Sequence, residues 1–448
     1  MLSIMWKEKI TSYFRNTPLQ VCIHEILMSF LVLSLPFYLP APRNIAWVML
    51  GANALFAIIF QKKYRTFFWQ SKNIFLVLSA FLLWHFVGLI YTENTSWGWF
   101  LLGLLVPLWA VPLAMLTFPS TLLTLRWYLR VFVGAMFVYV VITYFWAFYR
   151  AFGAWDTPDF AWSNFFYYEN FADLQLSVTY YGILVCFATL FLLIDLFFPK
   201  KFSLSSSKLW TISLITVFIF TLMFLATRMQ LLILLFGGII LFFEYFRSKQ
   251  KVWQGIGIGV GVFVLFVLFI FLNPYTQKRF LFLLDKNERL VLDKNKDVST
   301  GRAWDGASLR FAKWQCASEL IQRNWLWGVG TGDGQDELQK IYEEYKFYFA
   351  SLYNRYNAHN QFLEIWIALG LIGFLLWLAV LSLGLRKALK TSNYVLLATI
   401  LVLFSSGITE SFLQRNLGVL IMAVFYGIGL AWQKNEEADF AFAPPASK

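Results

Sequence analysis

The sequence predicts an all-α polytopic membrane protein, with about twelve transmembrane helices counted by hydropathy and one large extracytoplasmic helical loop. Three observations predict it. Apolar residues make up 59% of the 448 residues and charged residues 14%, against roughly 25% charged in a soluble domain. Mean hydropathy is +0.61. Apolar runs repeatedly reach the ~20 residues that cross a bilayer core.

The spans follow in order near residues 20–40, 44–60, 73–91, 98–117, 124–148, 173–197, 209–227, 229–246, 253–273, 361–385, 393–409 and 415–433. Lys7, Lys9 and Arg15 precede the first run, but no small-residue cleavage site follows it, so it reads as a span and not as a signal peptide. Lys62, Lys63 and Arg65, then Lys200 and Lys201, then Arg247, Lys249 and Lys251, then Arg386, Lys387 and Lys390 all fall on the side of the N-terminus. An excess of basic residues in short loops marks the cytoplasmic face, so both termini are expected there, the last as a short, disordered cytoplasmic tail over 434–448. The net charge of +12 is this topology signal. Scattered over short loops, it does not form a nucleic-acid-binding face. Membrane lipids are the expected surroundings. Three dispersed cysteines make no disulfide framework and no zinc spacing.

The domain reading is transmembrane helices over 1–273, an extracytoplasmic loop over 274–357, and transmembrane helices again over 358–433. The loop carries 13 Lys/Arg and 11 Asp/Glu, and its periodicity is helical. Phe311, Trp314, Ala317 and Ile321 are expected to share one face, as are Leu338, Ile341, Tyr342 and Tyr345. Between them NWLWGVGTGDG (324–334) reads as a tight glycine turn, with Asp333 placed to cap the second helix. It lacks the Lys-Ser/Thr ending and preceding strand of a nucleotide loop.

The polar groups that could carry chemistry gather on the extracytoplasmic side. Asn357, His359, Asn360 and Gln361 crowd the entrance of the 361–385 span, and His359 is one of three histidines in the chain. One polar residue suffices to cap a helix. A histidine near its ordinary pKa of ~6.5 gives or takes a proton. Arg228 lies between two apolar runs, on the side opposite to the basic loops. It either snorkels to the interface or serves as a fixed cation for an anionic headgroup. Arg310, at the start of the first loop helix, and Arg302 just before it are either solvated charges or further cations of the same kind. Glu410 and Arg415 in the 408–419 turn read first as an ion pair locking that turn. His24 and His85 have no second ligand at metal spacing and read as structural. If these groups converge, two arginines would hold a lipid-linked diphosphate and stabilise it as it leaves, and His359 would take the proton of an attacking sugar hydroxyl. Protein cations would then do the work of a metal, so no cofactor is expected.

His359-Asn360, followed after nine residues by Gly370 and after two more by Gly373, resembles a signature of the bacterial O-antigen ligase and O-antigen polymerase superfamily. TRMQLL around Arg228, RFAKW (310–314), WLWGVGTGDG (325–334), NAHNQFL (357–363) and TESFLQRNLGV (409–419) are similar to other segments of that superfamily, in its usual order. The resemblance spans about residues 215–433 and points to the superfamily rather than to one member of it. It implies a GT-C-like membrane glycosyltransferase of the bacterial inner membrane. The implied reaction is a periplasmic, metal-independent transfer of a glycan from undecaprenyl diphosphate to an acceptor. Carried over, His359 would be the base or its orienter, and Arg228 and Arg310 would bind diphosphate, with Arg302 the rival for Arg310. Asn360, Gln361, Glu410 and Arg415 would support them, and Gly370 and Gly373 would serve close helix packing. LQLSVTYYGI (174–183) departs from the pattern, lacking the histidine of many relatives. The first reading is ligation onto lipid A–core. Polymerisation of the glycan and transfer to protein serine or threonine follow, and a lipid-linked glycan transporter is the non-enzymatic alternative.

Overall fold

A computed structural model describes residues 17–272 apart from 38, 70, 71, 158, 203, 205 and 206, then 292 and 294, then 308–441. The regular structure among them is helical. The helices are α1 (Leu19–Ser34), α2 (Pro40–Phe60), α3 (Lys62–Trp69), α4 (Lys72–Ile90), α5 (Thr95–Leu105), α6 (Pro107–Thr117), α7 (Leu122–Gly153) and α8 (Val178–Phe197). After these come α9 (Lys208–Leu225), α10 (Arg228–Ser248), α11 (Val252–Leu272), α12 (Ser308–Arg323), α13 (Gly334–Glu344), α14 (Gln361–Lys390), α15 (Tyr394–Gly407) and α16 (Asn416–Ala441).

Eight helical segments among the described residues are long and apolar enough to cross a membrane: α2, α4, the α5–α6 pair, α7, α8, α9, α10 and α14. Four shorter apolar helices accompany them, at Leu19–Ser34, Val252–Leu268, Tyr394–Gly407 and Asn416–Trp432. The chain is therefore a multi-pass membrane protein. Several boundaries differ from expectation by a few residues, the first span ending at Ser34 and the sixth beginning at Val178. The second span begins at Pro40 and not 44, because proline suits the first turn of a helix. The last helix continues to Ala441, into the stretch expected to be a disordered tail.

Helix α8 is the centre of the bundle, apolar all round and with 83% of its span buried, as an all-apolar helix must be. It runs alongside α10, with Gly182 against Thr227 and Gly237 against Leu190 and Leu401. Phe198 stacks on Tyr394 at one end of α8 and α15. Gly407 meets Gln361 and Phe362 at the other. The start of α8, the start of α10, the end of α15 and the start of α14 thus share one end of the bundle.

Helix α14 is broken at Gly370, whose φ of 64° and ψ of −164° are not helical. A break at membrane depth needs its backbone groups satisfied within the protein. The glycine turn does this. The Ile367 and Ala368 carbonyls accept from the Val329 and Gly330 amides at 2.8 and 3.0 Å, and the Leu371 amide donates to the Trp325 carbonyl at 2.9 Å. The Trp84 indole donates to the Leu369 carbonyl. A Cβ on Gly370 would stand 2.1 Å from the Leu326 carbonyl oxygen. The expected close approach at Gly370 is therefore to this turn and not to another helix. On the far side, Thr331 donates its hydroxyl to the His85 carbonyl at 2.7 Å, which fixes the turn on α4.

Asp333 is corrected. It occupies the N-cap position of α13 without a side-chain cap bond. Its carboxylate instead accepts from the Glu93 and Asn94 amides at 2.8 and 2.7 Å, tying the start of α13 to the α4–α5 turn. The face of α12 is corrected too: Phe311 is exposed, while Ala312, Cys316, Ala317, Leu320 and Ile321 form the buried stripe. The expected α13 face, from Leu338 to Tyr345, is buried against it.

Candidate functional site

The segment before α14 and the turn between α15 and α16 are laced together. Asn360 Oδ1 caps α14 by accepting from the Phe362 and Leu363 amides at 2.9 and 3.2 Å, and its own amide donates to Ser411 Oγ. Gln361 Oε1 accepts from the Leu413 amide at 2.7 Å. Asn357 donates to Gln414 Oε1 at 2.7 Å, and Gln414 donates in turn to Glu364, which also accepts from the Ala358 amide. Asn360 and Gln361 therefore hold two loops in register, which accounts for more polar side chains than a cap requires.

That lacing brings His359 to Glu410. His359 Nδ1 lies 3.6 Å from the Glu410 carboxylate, and the two side chains are 30% and 13% exposed, so both are shielded yet reachable. The backbone of His359 is left-handed, at φ 47°, held by a bond from its amide to Asn357 Oδ1. Such a conformation costs a non-glycine residue roughly 1–3 kcal/mol. Burial pushes the imidazole below its ordinary range, Glu410 pulls it back up, and the nearby Lys313 and Arg310 push it down again. The balance favours the neutral ring.

One expectation changes. Glu410 reaches His359, and no ion pair between Glu410 and Arg415 forms among the described residues. Arg310 arrives through the first turn of α12, with Nε donating to the Thr409 carbonyl at 3.3 Å, one residue from Glu410. Arg302 lies outside the described residues.

Arg228 opens α10, after Ala226 turns the chain in a left-handed conformation at φ 49°. It shares the bundle end with His359 and stands on the α8–α10 side of it. Arg415 follows the 412–414 turn, its amide donating to the Phe412 carbonyl.

Sequence reasoning missed two residues. Lys313, one turn beyond Arg310, is 2% exposed and holds Nζ 4.6 Å from the centre of the Tyr356 ring. That ring makes an edge contact with His359. Burial, with Arg310 alongside, lowers the Lys313 ammonium to about 7 against the pull of Glu410 and Glu364. The lysine of RFAKW, three residues from Arg310, was the available signal. Tyr180 is the second. Its hydroxyl is buried without a hydrogen-bond partner among the described residues, within the electrostatic reach of Glu410 and Arg415. It stands in the segment where the family's histidine is lacking.

Residues 212–378 match the family model described as O-antigen ligase. The match supports the O-antigen ligase superfamily. It supports an O-antigen ligase-like function in general terms. The matched stretch contains Arg228, Arg310, Lys313, His359 and Gly370 and stops short of Glu410 and Arg415. No curated protein matches the chain.

Proposed function

We propose that this protein is an O-antigen ligase-like glycosyltransferase that moves a glycan from undecaprenyl diphosphate to the sugar of a lipid A–core acceptor. The observation that carries the reading is the His359–Glu410 pair. If His359 Nδ1–H faces Glu410, Nε2 is free to accept a proton. The acceptor hydroxyl attacks the anomeric carbon and a new C–O bond forms. Its proton passes to His359 Nε2. The C–O bond to phosphate breaks, and the electron pair leaves with undecaprenyl diphosphate. Glu410 stabilises the imidazolium that forms. Arg310 and Arg228 bind the diphosphate and its developing charge, a task suited to guanidinium forks. These cations supply the charge stabilisation that a divalent ion would otherwise provide. Arg302 is a third candidate cation, and Arg415 supports the turn that carries Glu410.

In this reading the four short apolar helices complete twelve spans in a GT-C-like arrangement. The site faces the periplasm of the bacterial inner membrane and the termini face the cytoplasm, as the basic loops predict. The test supplies purified protein with undecaprenyl-diphosphate-linked glycan and lipid A–core. Glycan on lipid A–core supports ligation. Consumption of donor into longer lipid-linked glycan, with none on the core, identifies a polymerase instead.

A further inference from the structure

Lys313 is buried, its Nζ makes no hydrogen bond among the described residues, and it lies over the face of Tyr356. A buried ammonium without hydrogen-bond acceptors is costly, and a lysine serving only to cover a ring would be replaceable by an apolar side chain. The groups that act on it come from every side: Arg310 on its own helix, Glu364 on α14, and Glu410 on the α15–α16 turn. His359 responds to it in turn. Lys313 therefore sits in the same charge cluster as the proposed base, its ammonium without a hydrogen-bonded carboxylate among the described residues.

We propose that Lys313 Nζ binds the anionic phosphate of the donor beside Arg310. The inference rests on the donor reading above. Before the anion arrives, burial and Arg310 hold the amine partly neutral near pH 7. A bound phosphate supplies the missing acceptor and counter-charge and restores the ammonium. Donor binding is then coupled to the uptake of up to one proton: R–NH2 and H+ from solvent become R–NH3+ against phosphate oxygen.

Binding of undecaprenyl diphosphate to the full-length protein in neutral detergent, followed by calorimetry from pH 7 to 9, tests the proposal. Parallel titrations use inorganic pyrophosphate and phosphatidylglycerol. Above pH 7 the wild-type Kd should rise by up to about tenfold per pH unit, and runs in Tris and HEPES should show net proton uptake near pH 8. In Lys313→Gln the Kd at pH 7 should rise about tenfold or more, with the pH slope and the proton uptake both lost. Matching behaviour with pyrophosphate would assign the effect to the phosphate group itself, and with phosphatidylglycerol to lipid headgroups in general, which would overturn donor selectivity. Wild-type binding with a flat profile and no proton uptake would overturn the role of Lys313 while leaving the donor reading intact. Absence of wild-type binding at every pH would overturn the donor reading. Lys313→Arg keeps a cation that does not titrate in this range, so it should bind with the pH slope and the proton uptake lost, and uptake that survives in it would overturn the role of Lys313.

Discussion

Glu410→Gln removes a charge from the proposed base while keeping the size and shape of its neighbour. Two unit charges 3.6 Å apart interact by about 4–5 kcal/mol at an effective dielectric of about 20. The pair is partly open to solvent, so about half of that is expected, ~2–3 kcal/mol. The charge interaction exists only when His359 is protonated, so the loss falls on the transition state. Transfer should slow by about 30- to 150-fold, with little change in donor affinity. The pH profile adds a second readout. Glu410 raises the imidazole pKa, so its removal lowers it further. A neutral base is lost as pH falls through its pKa, so the acid limb of the profile should move to lower pH in the variant. Rates come from single-turnover transfer with radiolabelled donor across pH 5–8. A variant with the wild-type rate, or a slower one whose acid limb stays in place, would refute the pairing of Glu410 with the base.

Other perturbations separate the scaffold from the chemistry. Asn360→Ala removes the cap of α14 and should cost about 1 kcal/mol of stability, while transfer falls further than that because the cap also sets His359; thermal melting and rate together check this. Gly370→Ala places a methyl group against the Leu326 carbonyl in a backbone region open essentially only to glycine, and should cost ~3 kcal/mol or more. A normal melting curve for that variant would contradict the docking of the glycine turn. Arg228→Lys keeps the charge but loses the paired donors, so transfer should drop about tenfold or more, and full activity would remove the guanidinium fork from the account.

Hydropathy located the helices because length and apolarity are local properties. Crowding of Asn357, His359, Asn360 and Gln361 is likewise local, and it marked the place where the structure laces two loops together. What local spacing does not express is pairing between distant segments. Glu410 had Arg415 five residues away and reads naturally as its partner, yet the lacing through Gln361, Asn357 and Gln414 turns it toward His359. Lys313 reads as one more solvated loop charge until the burial of α12 is known, and that burial is rotated by about one residue from the expected stripe. Glycine spacing around Gly370 signals close approach, but not that the partner is a turn some forty residues upstream. Tyr180 is legible only as a departure from the family pattern.

The central claim is that His359 takes the acceptor proton. Its most direct test is transfer of glycan from undecaprenyl diphosphate to lipid A–core by purified protein with EDTA present, comparing wild type with His359→Ala. The account predicts product from the wild type and loss of nearly all of it in the variant, with donor binding retained. Equal product from both would return His359 to the entrance of α14 as a structural residue and contradict the proposed mechanism.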